Sequence, residues 1–420
     1  MFGRLLTLAL LACASIDASA AEIRVPAEPG ALAQALGQAQ DGDVLRLLPG
    51  RHQGPIRIDK PLSLDGGDLA HIEGVGRGSV VTVAAPGVSV MGMTISGSGS
   101  SAEDRDAGVM LLKQATGARV VRNRLVGNLI GVDIHGARDA SVTANVIEGR
   151  RDHRMNSRGN GVYVWNAPGS KVIGNDIRWG RDGIFVNTSK RNEFRGNRFR
   201  DLRFAVHYMY AHDSVVADNV SIGNHLGFAV MFSRNVTVAG NLSLGDRDYG
   251  IMLNYANDGR VTGNRIEGVG DRCVFIYNAH KNRLEGNRFE GCGIGVHFTA
   301  GSERNSITGN AFVGNRTQVK YVGTRWLDWS AAGRGNYWSD HAAFDLDGDG
   351  IADSVYRPND SMDRVLWSQP SARLLLGSPA VQLIRWSHST FPALLPGGVV
   401  DRHPLMQPVE PALQEWRAPL

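Results

Sequence analysis

Short runs of alternating apolar and polar residues recur along most of the chain, with glycine and asparagine between them. In Val162-Tyr163-Val164-Trp165 the two valines and the two aromatics belong to opposite sides of a strand. A second alternating run, Lys171-Val172-Ile173-Gly174-Asn175, follows after one turn. The asparagines set the period. They stand at Asn123, Asn145, Asn175, Asn197, Asn219, Asn241, Asn264, Asn287 and Asn310, at intervals of 22, 30, 22, 22, 22, 23, 23 and 23. The interval of 30 is one period plus an eight-residue insertion near residues 150–157. A period of this length fits a leucine-rich repeat or a parallel β-helix. The L-x-x-L-x-L frame of the former is absent, so the pattern predicts an all-β, right-handed parallel β-helix of 22–23 residues per coil. Stacked coils place equivalent residues ~4.8 Å apart. The asparagines then form an amide ladder and are structural, not catalytic.

Both ends of such a solenoid expose unpaired strand edges and need covers. Ala31, Leu32, Ala35, Leu36 and Ala39 recur at helical spacing, which predicts an N-terminal cap helix ahead of a strand at residues 44–48. Residues 56–95 read as less regular coils and 96–106 as a polar loop. The regular repeat ends near Tyr321, giving a β-helix over 21–325, a capping segment over 326–363 and a C-terminal segment over 364–420. In the last, Pro379 starts a helix-like stretch whose Ala380, Leu383, Ile384, Ser387 and Phe391 share one face. That face either closes the solenoid or docks on a partner.

Aligning the strands gives one outward column of Asp133, Tyr163, Phe185, His207, Met231, Met252, Phe275 and His297. The neighbouring column reads His135, Trp165, Asn187, Met209, Ser233, Asn254, Tyr277 and Thr299. Large apolar side chains facing solvent mark a binding surface or one covered by another segment. Tyr163, Trp165, Phe185, His207, Met209, Phe275 and Tyr277 are the candidate partner contacts on this stripe, with Leu383, Ile384 and Phe391 on the tail. His207, Met209, Met231 and Met252 offer imidazole and thioether ligands suited to Cu(I). The alternative is a sugar cleft of a polysaccharide lyase or uronate epimerase. Such chemistry needs paired carboxylates or a base with a positioned arginine. The stripe offers only Asp133, and Arg203 and Asp213 flank His207 on corners, so a non-catalytic surface is expected.

Asp345, Asp347, Asp349 and Asp353 with Gly350 match positions 1, 3, 5, 9 and 6 of an EF-hand-type loop, with Ile351 at the carbonyl-donating position 7. Tyr356 replaces the bidentate glutamate of position 12. A structural calcium ion is expected there. The balance of 45 basic and 41 acidic residues, net +4, argues against nucleic acid. Arg4, the apolar residues 5–13 and Ala18-Ser19-Ala20 read as a signal peptide cleaved after Ala20, which places the mature chain in the periplasm. No stretch approaches the ~20 apolar residues of a membrane span. Cys273 and Cys292 lie 19 residues apart, short of one coil, which leaves two readings: a disulfide, which the compartment permits, or two small buried thiols whose sulfurs do not face each other.

Three stretches resemble the NosD family: Arg203-Phe-Ala-Val-His-Tyr-Met-Tyr210, the run from Gly335-Asn-Tyr-Trp-Ser-Asp340 to Asp353, and the tail from Ser378 through Phe391-Pro392, Pro396-Gly-Gly-Val399 and Pro404-Leu-Met406. The resemblance implies a periplasmic protein of nitrous oxide reductase maturation. It implies, as partners, a cytoplasmic ATPase and a membrane permease of an ABC-type complex, a periplasmic copper chaperone and the reductase itself. Copper(I) would then be a transient guest.

Overall fold

The computed structural model describes residues 20–151, 154–299, 301–359, 361–375, 377–391 and 397–414. The expected signal peptide therefore falls, but for Ala20, outside the described residues. From Ile56 onward the chain winds into a right-handed parallel β-helix with a 12-stranded sheet along one side. Each regular coil carries three strands, one more than the two expected from the alternation. The coil of Phe204–Met209, Ser214–Ala217 and Val220–Ile222 is typical. The third strand is only three residues long, too short to show a period of its own.

The asparagine ladder forms as the spacing requires. Asn197 Oδ1 accepts from the backbone N–H of Asn175 at 2.9 Å and from its Nδ2 at 2.9 Å, while Asn197 Nδ2 donates to Val172 O. The same pattern runs from Asn123 to Asn310 and ends one rung further, at Asn336. These side chains are fully or almost fully buried, so each amide must find partners inside the protein. The residue before each rung from Asn123 to Asn310 adopts a left-handed conformation. Gly196 does so at φ 64, where a side chain is strained.

At the N-terminal end, helix α1 (Ala31–Gln38) buries Leu32 and Ala35 over the first coil. At the other end, Tyr337–Trp338 adds a last strand beside Ala311–Val313, and the Trp338 ring stacks on Phe312 at 4.2 Å. The expected boundary at 364 is crossed here. Gly398–Val400 pairs with Trp326–Asp328, and buried Asp401 accepts from Asn336 N and Trp338 Nε1 at 2.7 and 2.8 Å. Residues 398–406 thus complete the cap. Helix α2 (Ser361–Ser368) and helix α3 (Pro379–Thr390) form an appendage between the two halves of that cap.

Cys273 and Cys292 form a disulfide, with Cα atoms 5.7 Å apart, which decides between the two readings their spacing left open. The residue one coil below Cys292 is Val269, before the corner, whereas Cys273 lies just after it. The four residues missing from a full period are the width of that corner, and both sulfurs reach its buried interior.

Candidate metal site on the outer stripe

Strand register corrects the outward columns at one coil. His207 pairs with Ala229, which pairs with Met252, while Met209 pairs with Met231 and then Asn254. Met231 therefore sits beside Met209, not between His207 and Met252, and Ser233 lies beyond the strand in a corner. The ladder interval of 22 here, from Asn219 to Asn241, carries His207 to Ala229 and Met209 to Met231. Ala229 is fully buried although it faces outward, because longer neighbours close over its methyl group. The result is a small side chain flanked along its own column by His207 and Met252, with Met209 and Met231 in the column alongside.

An acid absent from the sequence reading organises this cluster. Asp182 is fully buried and accepts two hydrogen bonds from Arg203, at 2.9 Å from Nε and 2.8 Å from Nη2. His207 Nδ1 lies 3.2 Å from the same carboxylate. A carboxylate can only accept, so the ring hydrogen sits on Nδ1 and the Nε2 lone pair is free. Burial alone would raise the Asp182 carboxyl, but the bonds from His207 and Arg203 outweigh it and hold the group below its ordinary value. Strict alternation would point Asp182 inward with Ile184. Gly183 and Ile184 are both buried in succession, however, and the break returns Asp182 to the side of His207. Arg203, placed on a corner by the sequence, is folded onto the stripe by this carboxylate.

The rings of the stripe stack along the solenoid axis. Tyr163 and Phe185 are 5.3 Å apart with planes at 8°, His135 and Trp165 4.3 Å apart at 11°, and Phe185 and His207 4.8 Å apart at 32°. A second stack outside both predicted columns joins Tyr210, Phe232 and Tyr255 at strand ends. Each ring in these stacks has at least one face against another ring. Tyr277 is exposed and Phe275 half-buried.

Both ends of the stripe are covered. Asp133 is fully buried beneath Arg105 of the 96–106 loop, at 3.3 Å, and burial pushes its carboxyl up to about 7 against the pull of that guanidinium. At the far end burial, with Arg272 and Lys320, pushes the His297 imidazole down to about 4. Lys320 in turn lies over Trp367 of α2 at 5.8 Å. Between these ends His207, Met209, Met231 and Met252 are half-buried.

In the acidic loop the Asp345, Asp347 and Asp349 carboxylates converge within 4.8 Å. Asp345 accepts from Gly348 N and Gly350 N, Asp349 from Ile351 N, and Asp353 from Leu346 N at 2.7 Å. Asp353 is thus turned to the loop backbone, and the tail holds the loop from behind through Met406 N to Gly350 O. On the appendage, Leu383, Ile384, Trp386 and Phe391 are exposed, at 63, 39, 60 and 56%. Among the described side chains of α3, Val381 is buried.

Comparison with known proteins bears on what this stripe serves. Residues 143–343 match the family described as "Periplasmic copper-binding protein (NosD)". The "Probable ABC transporter binding protein NosD" of Stutzerimonas stutzeri is 42% identical over 389 residues, covering 89% of each chain. The chain belongs to the NosD family. A protein of the same description from Pseudomonas aeruginosa is also 42% identical, over 90% of this chain and 93% of its own. Among solved structures, a mannuronic acid specific family 6 polysaccharide lyase from human gut microbiota aligns with a TM-score of 0.54 at 12% identity, over 78% of this chain and 89% of its own. A family 28 exopolygalacturonase of Yersinia enterocolitica aligns at 0.50 with 11% identity, over 69% and 79%. At such identities the likeness is one of fold. Among the described residues no helix is long and apolar enough to cross a membrane.

Proposed function

We propose that the protein is a non-catalytic assembly factor of the periplasm that receives Cu(I) on its outer stripe and hands it on towards the copper sites of nitrous oxide reductase. The donor is a periplasmic copper chaperone. The helical appendage docks on the permease of an ABC-type ATPase–permease pair. The Asp182–His207 contact carries the reading. A carboxylate holding one imidazole nitrogen so that the other can ligate is the usual outer support of a metal-bound histidine. The thioethers of Met209 and Met231, in register on adjacent strands, are soft ligands of the kind that select Cu(I). Met252 adds a third thioether across the gap above Ala229. Half-burial of these groups suits a guest that must leave as well as arrive.

The sugar-cleft reading is weaker on two counts. Asp133 and Asp182 are buried and held by arginines, so neither is a free base. Stacking also covers ring faces on which a pyranose would pack. The acidic loop is assigned a structural calcium ion, with Asp345, Asp347, Asp349 and the Ile351 carbonyl as ligands and Asp353 through water. Chelator competition for Cu(I) tests the central claim. The double variant His207→Ala, Met209→Ala should lose at least tenfold in affinity, and an unchanged value would dismiss the site.

A further inference from the structure

Several arginines on this solenoid are neutralised from coil to coil: Arg124 and Arg178 meet at Glu148, Arg200 binds Asp176, and Arg265 reaches Glu290. One cleft gathers four cations without such partners. Lys113, Arg138, Lys190 and Arg191 are all exposed around a cavity of about 620 Å³ whose lining includes no carboxylate. Each of the surrounding ion pairs leaves these four out. Asp139, the nearest acid in sequence, lies instead against Gly169 on the next coil. The floor is the His135–Trp165 stack, with the imidazole lowered from its ordinary value by burial and by Arg105.

We infer that this cleft docks an acidic segment of a protein partner. The cations are spread over four successive coils, ~14 Å along the axis at the strand spacing. A single small anion cannot bridge them, whereas an extended run of carboxylates can. An acidic glycan is disfavoured because His135 and Trp165 cover each other's faces, which a sugar ring would need. Unpaired charges at a rim steer association and set its salt dependence more than they add raw affinity. The inference deepens the assembly-factor reading and rests on it for the partner's role. Trp165 lies two strands from Met209 in the same column, ~10 Å away, so a protein held here brings its own metal to the centre of the stripe.

Fluorescence anisotropy of a labelled octaglutamate peptide with the full mature chain tests this. Binding at 50 mM salt should weaken at least tenfold at 300 mM salt, as screening shortens. The variant Lys113→Ala, Arg138→Ala, Lys190→Ala, Arg191→Ala should lose at least tenfold. A charge-matched control, Arg24→Ala, Arg77→Ala, Arg260→Ala, Lys281→Ala, should lose less than twofold. Equal losses in the two variants would overturn the inference, since net charge alone would then explain the binding. Equally tight cleft-dependent binding of a hexauronate would overturn it in favour of a glycan, and of phosphatidylglycerol vesicles in favour of lipid. Cu(I) affinity is read separately: the cleft variant should keep it, and a normal value in the His207/Met209 variant would remove the copper reading while leaving the peptide result standing.

Discussion

His207 donates its Nδ1 hydrogen to the buried Asp182 carboxylate at 3.2 Å, and this contact leaves Nε2 as the ring nitrogen open to a metal. Asp182→Asn removes no metal ligand but weakens that support, so Cu(I) affinity should fall 10–100-fold. Arg203 loses its counter-charge, and stability should drop by about 3 kcal/mol. Because the folded carboxyl is depressed, its contribution is present above the unfolded value near 4 and is lost as pH falls through the lower folded value. A chemical-denaturation series over pH 2–7 checks this. The variant should show a flatter acid limb, and an unchanged limb would contradict the assignment.

The amide ladder yields a second expectation. Asn219 Oδ1 accepts from Asn197 N and Nδ2, and its own Nδ2 donates to Phe194 O and Asn241 Oδ1. Asn219→Ala leaves several buried groups unpaired at about 1–3 kcal/mol each. A loss of at least 3 kcal/mol, read from urea unfolding, is expected. A loss below 1 kcal/mol would mean that neighbouring rungs or water replace it.

How much of this was legible in the sequence differs by element. The asparagine period alone specified stacking, register and ladder, because each coil must repeat the same corner. The same period placed Ala229 outward, and alignment by side-chain likeness put Met231 there instead. Asp182 was hidden for a physical reason: two consecutive inward residues break the alternation that a strand reading depends on. Asn336, 26 residues beyond Asn310, was masked by the wider last coil. The disulfide stayed undecided because the spacing was measured against a full coil, whereas the chain between the two sulfurs bridges a corner.

Asp246 gives a pH test with the opposite sign. It occupies the corner position held by Asn224 one coil earlier and accepts from Ser221, Ser243 and Asn224 N. Burial outweighs those bonds and raises its carboxyl to about 6. Its favourable contribution is complete below the unfolded value near 4 and is lost as pH rises through 6. Asp246→Asn keeps the shape and removes the charge. It should stabilise the protein by up to ~3 kcal/mol at pH 8, two pKa units' worth, and by nothing at pH 4. Equal effects at both pH values would show that the carboxyl is not the cause.

Calcium at the acidic loop should be visible as heat stability. The convergent Asp345, Asp347 and Asp349 carboxylates repel one another without a cation. Adding calcium at a hundredfold excess over its dissociation constant should contribute about 2.7 kcal/mol and raise Tm. Asp347→Ala with Asp349→Ala should abolish the increment. A calcium response that survives this substitution would place the ion elsewhere.

Docking of the appendage needs a gentler probe than truncation. Deleting everything after residue 364 would also remove Asp401, which caps Asn336 and Trp338, so loss of association would report a damaged solenoid. Leu383→Glu with Phe391→Glu alters only exposed positions of α3 and its end and should leave Tm within about 2 °C, as surface changes usually cost under ~0.5 kcal/mol. The same charges on an apolar contact oppose burial strongly. The variant should therefore fail to co-purify with the ATPase–permease pair while keeping its Cu(I) affinity. Full co-purification would mean that α3 faces water in the assembly and that the transporter is met by another surface.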